Sequence, residues 1–279
     1  MINYQEREQM PENLERVLRG QAKLIKTPQD LLDFQVVVSM KERGELSARV
    51  VNNLAQSIFN DLSKPAVAYN GYDFREGDKV IVKGNTYEIK YYKDLEHYYD
   101  VQDSQISEEE IQRTLMSMET DEERSEFLDS IARANTGDLF NGTMGIVVNV
   151  FGELDHKTQK EVLYLVVDFE GLGIVVFQQT ELDCLELAYA VTCHRLQGST
   201  IKNVVVALDF SAYSLLSRQW VYTAITRASK KCVLLVQSSA LVKAIGTDAS
   251  GNRQTFLGDM IREVHNTKGD LETLIKQVA

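Results

Sequence analysis

The chain has 279 residues, of which 44% are hydrophobic and 8% aromatic, so it is long enough for one large globular domain with a smaller one. Its formal net charge of −11 argues against a nucleic-acid partner, because phosphates are bound by lysine and arginine. The charge is concentrated, however: residues 94–133 contain 13 acidic and 3 basic residues, which leaves 28 acidic against 27 basic elsewhere. A local basic groove outside that segment therefore remains compatible with the composition.

The spacing of the cysteines and the length of the apolar runs indicate in which cellular compartment the protein is expected to work. Cys184, Cys193 and Cys232 are far apart and form no CxxC pair, which indicates neither a disulfide framework nor a zinc site. No apolar run approaches the roughly 18 residues of a membrane span, and the N-terminal segment lacks a signal-peptide core. We therefore expect a soluble cytoplasmic protein with no membrane contact and no metal ligands of its own.

The first predicted elements are a helix and a buried strand. Apolar residues at helical spacing predict a helix from Pro11 to Leu24, and the run Gln35–Ser39 predicts the strand. A turn containing Arg43 follows, and then a second helix whose apolar side would carry Val50, Leu54 and Ile58. Arg43 is equally compatible with a phosphate contact and with an exposed turn residue.

Short strands with turn signals follow and are typical of a small β-barrel. A short alternating strand ending at Val82 is expected to pair with a strand after the tight turn Asn141-Gly142, and residues 162–178 read as a hairpin. Between them, about 86–136, acidic residues and apolar residues at helical spacing predict a helical arm. Its acidic residues form either a solvated face or a partner-binding surface. Its tyrosines either pack beside strands or stack on bases, and they are Tyr87, Tyr91, Tyr92, Tyr98 and Tyr99.

The last third of the chain predicts an α/β lobe. Val204–Leu208 is a β-branched run of the kind buried in a parallel sheet, and Cys232–Val236 predicts a neighbouring strand. Before the first strand, Thr192 is expected to cap a short helix whose amides hold a phosphate, with Gly198 at its left-handed exit. After it, apolar residues predict an amphipathic helix over Leu215–Ala228. Residues 246–279 predict a loop and a terminal helix.

Two polar segments of this region carry a family resemblance. Thr192–Ser199, TCHRLQGS, and Tyr222–Ala228, YTAITRA, resemble motifs V and VI of the superfamily 1 helicases, above all the RecD-like and phage Dda-like DNA helicases. The stretch from the Arg43 turn through Val51–Asn60 resembles motif IV, and GDKV with FNGTMG resembles the opening of the SH3-like barrel inserted in RecD-like helicases.

The resemblance implies an architecture: a RecA-like parallel-sheet lobe with an inserted small SH3-like β-barrel and a helical arm. Residues 1–70 and 183–245 would form the lobe and 71–182 the barrel with its acidic insertion, leaving 246–279 as a tail. In relatives the two halves of the barrel signature are joined by a short loop, so the long acidic insertion is a departure.

The resemblance also implies site residues. Arg227 would be the arginine finger that stabilises charge on the transferred phosphoryl group. Arg43, Gln197 and Gly198 would join it in binding ATP, while Thr192, His194 and Ser199 would contact DNA. The plainer alternatives are a solvated arginine at a helix end, a surface or packed histidine, and a helix exit at Gln197-Gly198.

One motif is missing from these 279 residues: no GxxxxGK[ST] and no strand-ending acidic pair precedes the motif IV region. ATP and Mg²⁺ would therefore be held mainly by a first RecA-like lobe that carries this Walker A motif. A further departure is Thr200, where many relatives carry glutamate.

The sequence thus predicts the second motor lobe of an ATP-dependent DNA helicase, RecD-like and 5′-to-3′, which binds single-stranded DNA. It would be active as part of a longer protein or with a partner lobe, and inactive as the isolated chain. The competing interpretation is a non-catalytic module that binds nucleic acid or a protein partner.

Overall fold

The computed structural model describes residues 1–104, 108–130, 133–154, 159–249, 260 and 262. The predicted loop and helix over 246–279 lie almost wholly outside this part of the chain. The described helices are α1 (Met10–Ala22), α2 (Pro28–Leu32), α3 (Ala48–Phe59), α4 (Leu95–Asp103), α5 (Glu108–Ser117), α6 (Asp121–Ser130), α7 (Arg218–Ile225) and α8 (Ser238–Gly246). Short 3₁₀ segments cover Arg7–Gln9, Gln179–Cys184, Cys193–Leu196 and Phe210–Leu215.

The described strands fall into two five-stranded sheets and two small pairs. In chain order they are β1 (Ile2–Tyr4), β2 (Phe34–Val38), β3 (Ala66–Tyr69), β4 (Tyr72–Arg75), β5 (Lys79–Val82), β6 (Thr86–Tyr91), β7 (Asn135–Leu139), β8 (Met144–Leu154), β9 (Glu161–Phe169), β10 (Gly173–Gln178), β11 (Leu185–Leu187), β12 (Ala190–Thr192), β13 (Ile201–Leu208) and β14 (Ala228–Gln237).

A parallel sheet with the order β1-β14-β13-β2-β12 forms the larger body and confirms the α/β class. Strand β13 is the central strand of this sheet. Its β-branched run is buried because helices cover both faces of the sheet. Val205 belongs to the core shared with α1 and α3, whereas Val204 and Val206 belong to the core shared with α7 and α8. Burying each such side chain contributes about 1.5–3 kcal/mol.

Several boundaries in this body differ from the predictions. The apolar side of α3 is displaced by one residue: Val51 and Ala55 are buried, whereas Val50 is exposed. The predicted helix over Leu215–Ala228 is shorter, because the Ser217 side chain accepts a hydrogen bond from the Trp220 amide and so starts α7 only at Arg218. The first helix and the first buried strand are confirmed.

The second sheet is antiparallel, has the order β10-β9-β8-β5-β11 and is inserted between α3 and β12. The predicted hairpin is β9–β10, and the Asn141-Gly142 turn precedes β8, the partner of β5. The prediction that β5 alternates is wrong: all its residues, Lys79 included, are buried. Val80 and Val82 belong to the core shared with α1 and α3, whereas Ile81, on the opposite face of the strand, belongs to the core shared with α7 and α8. The barrel form stays a prediction.

The acidic insertion lies between β6 and β7 in the chain, and these two strands pair with each other at its base. The predicted helices are confirmed as α5 and α6, and α4 was not predicted. Tyr98 on α4 is buried and contacts Tyr92 edge-on, with ring centroids 5.1 Å apart, and lies 6.3 Å from the ring of Phe151. Packing is therefore the structural role of Tyr92 and Tyr98, whereas Tyr87 is 62% exposed. In the described part of the chain, no helix has both the length and the apolar character of a bilayer span.

Candidate functional site

Arg227 lies between α7 and β14, at the amino edge of the parallel sheet, and is half-buried. Its Nη1 donates to the carbonyl oxygens of Leu196 at 3.3 Å and Ser199 at 3.0 Å. Its Nε donates to the Thr223 carbonyl at 3.1 Å, and Nη2 reaches the Thr226 hydroxyl only at 3.4 Å. The guanidinium therefore joins the end of α7 to the TCHRLQGS segment, and Nη2 is its least engaged donor.

The TCHRLQGS segment leaves β12 at Thr192 and makes a single 3₁₀ turn over Cys193–Leu196. Gly198 has φ +87°, the left-handed conformation expected at this exit. The predicted short helix is confirmed as this 3₁₀ turn with Thr192 at its N-cap position, but the Thr192 side chain makes no capping bond, so the predicted cap is wrong. So short an element has little dipole to hold a phosphate.

The predicted contact residues of this segment differ in exposure. His194 and Gln197 are exposed, whereas Thr192 and Ser199 are half-buried. Burial raises the pKa of the Cys193 thiol to about 11, although the charge of Arg227 opposes the rise. The segment therefore presents an imidazole and an amide to solvent and keeps its thiol protonated near neutral pH.

Arg43 lies at the other edge of the parallel sheet. Its turn follows the carboxyl end of β2, and a Cβ added at Gly44 would lie 3.1 Å from the Ser211 hydroxyl, just beyond the end of β13. Arg227 is bonded through its carbonyl to the Ile201 amide, at the start of β13. The eight residues of β13 span about 26 Å at about 3.3 Å per residue. The structure therefore does not bring Arg43 and Arg227 together, and the role of Arg43 stays a prediction.

An ion cluster that the sequence did not reveal links this edge to the inserted sheet. The Glu186 carboxylate, on β11, lies 2.8 Å from Lys41 Nζ and 2.9 Å from Arg195 Nη1. Its side chain is 12% exposed, so the two cations hold a largely buried carboxylate. The cluster has a net charge of +1. Glu186 belongs to no recognisable sequence motif, so only the pairing of β11 with β5 shows that it lies beside Lys41 and Arg195.

Three polar residues at four-residue intervals, two on α3 and one at its C-cap, connect this helix to both sheets. Asn52 pairs with both the amide and the carbonyl of Ala190, at 2.8 Å each. Gln56 donates to an Asp78 carboxylate oxygen at 2.6 Å, and Asn60 donates to the other at 2.7 Å. The sequence contained this signal, because residues four apart lie on one helix face.

Asp78 and Lys79 open the inserted sheet and are both fully buried. Burial raises the pKa of the Asp78 carboxyl, against four hydrogen bonds that include one from the Tyr189 hydroxyl. Lys79 Nζ donates to the carbonyls of Leu31, Leu32 and Phe34 and to Gln35 Oε1. Burial lowers the pKa of Lys79 to about 7, although Asp33 opposes the shift.

The described residues fit ATP only in part and do not fit Mg²⁺. No group of three histidine, cysteine, aspartate or glutamate side chains in the described ranges lies close enough to hold a metal ion. Arg227 Nη2 makes the weakest of the guanidinium's bonds, at 3.4 Å to the Thr226 hydroxyl, so it is the donor most easily redirected to a phosphate oxygen.

Comparison with known proteins agrees with the motifs. Residues 187–235 match the UvrD-like helicase C-terminal domain family. The chain is 41% identical over 125 residues to the ATP-dependent RecD2 DNA helicase of Deinococcus radiodurans, a match that covers 45% of this chain and 16% of that protein. An uncharacterized protein of Methanocaldococcus jannaschii is 30% identical over 105 residues. The predicted resemblance to the C-terminal lobe of superfamily 1 helicases is thereby confirmed.

Among solved structures, the chain is similar to Pif1 helicase from Candida albicans, with a TM-score of 0.34 and 13% identity over 84% of this chain and 51% of that one. It is also similar to a Bacteroides Pif1 helicase in complex with ADP-AlF₃ and single-stranded DNA, with a TM-score of 0.36 and 13% identity over 91% and 54%. These likenesses are remote. The chain spans about half the length of these solved proteins.

Proposed function

From the resemblance of its motifs to the C-terminal lobe of superfamily 1 helicases, we propose that this chain is the second motor lobe of an ATP-dependent DNA helicase, RecD-like and 5′-to-3′. It would bind single-stranded DNA and supply Arg227 to ATP hydrolysis. The observation that carries the proposal is the guanidinium of Arg227 bonded to carbonyls on both sides of Gln197-Gly198. One side chain thereby touches both segments that carry the family resemblance.

In the proposed mechanism Arg227 has two sets of acceptors. In the structure the guanidinium satisfies the Leu196 and Ser199 carbonyls. A γ-phosphate presented across a cleft would compete for the same donors, because an anionic acceptor adds the attraction of opposite charges and can take a bidentate pair of bonds, which a neutral carbonyl cannot. Movement of Arg227 toward that phosphate would release the TCHRLQGS segment, in which Gln197 and Gly198 adjust.

That release would change the position of the proposed DNA contacts, since Thr192, His194 and Ser199 lie in the same segment. The segment is continuous with β12, which Asn52 holds by both backbone groups of Ala190. The nucleotide state and the affinity for DNA would therefore be coupled through a few residues rather than through a long path. This coupling makes the lobe a motor part instead of a passive binding module.

The remaining parts of the motor would come from a first RecA-like lobe with GxxxxGK[ST]. That lobe would hold most of the ATP and the Mg²⁺, which polarises the phosphate oxygens when bound. The acidic arm, from α4 to α6, is proposed to serve a protein partner, because its charge opposes contact with DNA. The surviving alternative is a module that binds nucleic acid or a protein without turnover.

Binding of DNA by the purified chain tests the proposal at its first step. We expect saturable binding of a labelled single strand of about 15 nucleotides, weaker binding of a duplex of equal length, and loss of affinity with added salt. His194→Ala should weaken binding, whereas His97→Ala, a histidine on the arm, serves as the matched control. Equal affinity for single strand and duplex, with no effect of His194→Ala, would contradict the proposed DNA role.

A further inference from the structure

The TCHRLQGS segment is held at two places by two different arginines. Arg227 holds its second half, which leads into β13, through two backbone carbonyls. The first half, which leaves β12, carries the exposed imidazole of His194. Arg195 follows it directly in the chain, and the Arg195 side chain forms an ion pair with Glu186 on β11. The first half of the segment therefore has an anchor that the proposed mechanism does not yet use.

Apolar burial also holds this half, but without fixing its direction. Cys193 and Leu196, at the two ends of the 3₁₀ turn, are 2% and 0% exposed and belong to the core shared with α7 and α8. The hydrophobic effect is non-directional, so it keeps the turn against the sheet without orienting the two residues between them. The ion pair of Arg195 adds an attraction that depends on distance, and it thereby fixes the side of the turn on which His194 lies.

Glu186 is a firm anchor because its own position is fixed. It is paired with Ile81 in the β11–β5 ladder, and its two carboxylate oxygens each take a different cation, Lys41 on Oε1 and Arg195 on Oε2. With 12% of the Glu186 side chain and 23% of the Arg195 side chain exposed, the pair is screened less by solvent than a surface pair is.

The cluster is unsuited to bind a phosphate itself. The Glu186 carboxylate repels one, and the cavity beside it, which Thr192 and Asn52 also line, has a volume of about 20 Å³. Such a cavity holds about one water molecule and is too small for a phosphate group that would displace the carboxylate. An effect of Glu186 on DNA binding would therefore act through Arg195.

We propose that Glu186 is a positioning residue: through Arg195 it sets the direction in which His194 meets a single strand, and it makes no DNA contact of its own. The inference rests on the proposed function and deepens it, because it names a residue outside both motifs on which the contact of His194 depends.

A charge-matched variant separates positioning from electrostatics. Lys41→Gln together with Glu186→Gln removes one positive and one negative charge, so the cluster keeps its net charge of +1 while Arg195 loses its anchor. Lys160→Gln together with Glu161→Gln makes the same change at two exposed residues at the start of β9 and is the matched control. Anisotropy titration with a labelled oligothymidylate of about 15 nucleotides gives the affinities, and a thermal melt checks that each variant folds.

The charge-matched variant should bind the strand about 2- to 12-fold more weakly than the unsubstituted chain, which is the contribution of one hydrogen bond. The control should bind normally. His194→Ala should weaken the unsubstituted chain by the same factor and have no further effect in the charge-matched variant, because the imidazole is already misplaced there. If the charge-matched variant fails to fold, Arg195→Gln removes the same anchor, and His194→Ala should again add nothing to it.

Normal binding by a folded charge-matched variant would overturn the positioning role and leave the proposed function standing. The same holds if the effects of His194→Ala and the charge-matched change multiply, since each then acts without the other. A slope of affinity against salt that becomes shallower by about 0.7 would also overturn it, because it would place Lys41 on a phosphate. No effect of His194→Ala in the unsubstituted chain would instead contradict the proposed DNA role, and the inference with it.

Discussion

Arg227 and Lys79 differ in how far the sequence alone predicts their roles. Arg227 was predicted from YTAITRA because an always-charged planar donor is what a phosphoryl group requires, and the family fixes its neighbours. Its bonds to the Leu196 and Ser199 carbonyls were not predictable, since they depend on how two separate segments meet. Lys79 reads in sequence as an ordinary polar strand residue, and only the packing of β5 against the lobe buries it.

Lys79 gives the stability of the chain a defined pH dependence. Its folded pKa of about 7 lies below the ordinary value of 10.5, so between these values the unfolded chain binds more protons. Stability should therefore rise with pH from about 7 to about 8.5, by up to about 1.4 kcal/mol per pH unit. Above that range the three cysteine thiols act oppositely, because partial or full desolvation raises their pKa values and thereby favours the protonated folded state.

Urea unfolding at a series of pH values measures this dependence, with Lys79→Met as the reference that cannot titrate. The difference in unfolding free energy between the two proteins should change across the window in favour of the unsubstituted chain. A difference that stays constant from about pH 7 to 8.5 would show that Lys79 keeps its proton in the folded state.

At the scale of elements, α3 is the piece that joins the two sheets. The helix itself was predictable from its periodicity, and its polar stripe was visible in Asn52, Gln56 and Asn60. The partners of these side chains were not predictable, because Asp78 precedes the inserted sheet and Ala190 follows it, and only the tertiary fold brings both to α3. Strand β1 was missed because three residues carry no period, and α4 was missed because its tyrosines resembled strand residues.

The Gln56→Ala variant tests the stripe. It leaves the buried Asp78 carboxylate one donor short, and an unsatisfied buried group costs about 1–3 kcal/mol. Asn53→Ala, on the exposed side of the same helix, should change stability by less than about 0.5 kcal/mol. Chemical denaturation gives both values, and equal small effects would mean that water replaces the lost donor.

At the scale of the whole molecule, charge separates the acidic arm from the rest. The composition predicted this division, and the structure shows where it can be cut. Removing all of residues 94–133 would strip Tyr98 from the core around Tyr92, whereas α5 and α6 contribute no buried hydrophobic residue to any described core.

Replacing residues 108–130 by a short flexible linker should therefore preserve folding. Single-strand affinity should be unchanged or tighter, since the deleted segment adds repulsion and no contact. Anisotropy titration beside a thermal melt measures both properties. Weaker binding by a protein that melts normally would make the arm a DNA-binding element.

The central claim is that Arg227 acts in ATP hydrolysis when a first lobe is present. The most direct measurement is the DNA-stimulated ATPase rate of a protein that joins this chain to a lobe carrying GxxxxGK[ST], compared between the parent, Arg227→Lys and Arg218→Lys. Arg218 is the control: it lies exposed in the first turn of α7, the helix that precedes Arg227, and donates through Nε to the Ile245 carbonyl. We predict that Arg227→Lys lowers turnover by about 10³- to 10⁵-fold, because lysine lacks the planar fork, while Arg218→Lys hydrolyses ATP normally. Near-parental turnover by Arg227→Lys would contradict the account and leave Arg227 as a clip between α7 and the TCHRLQGS segment.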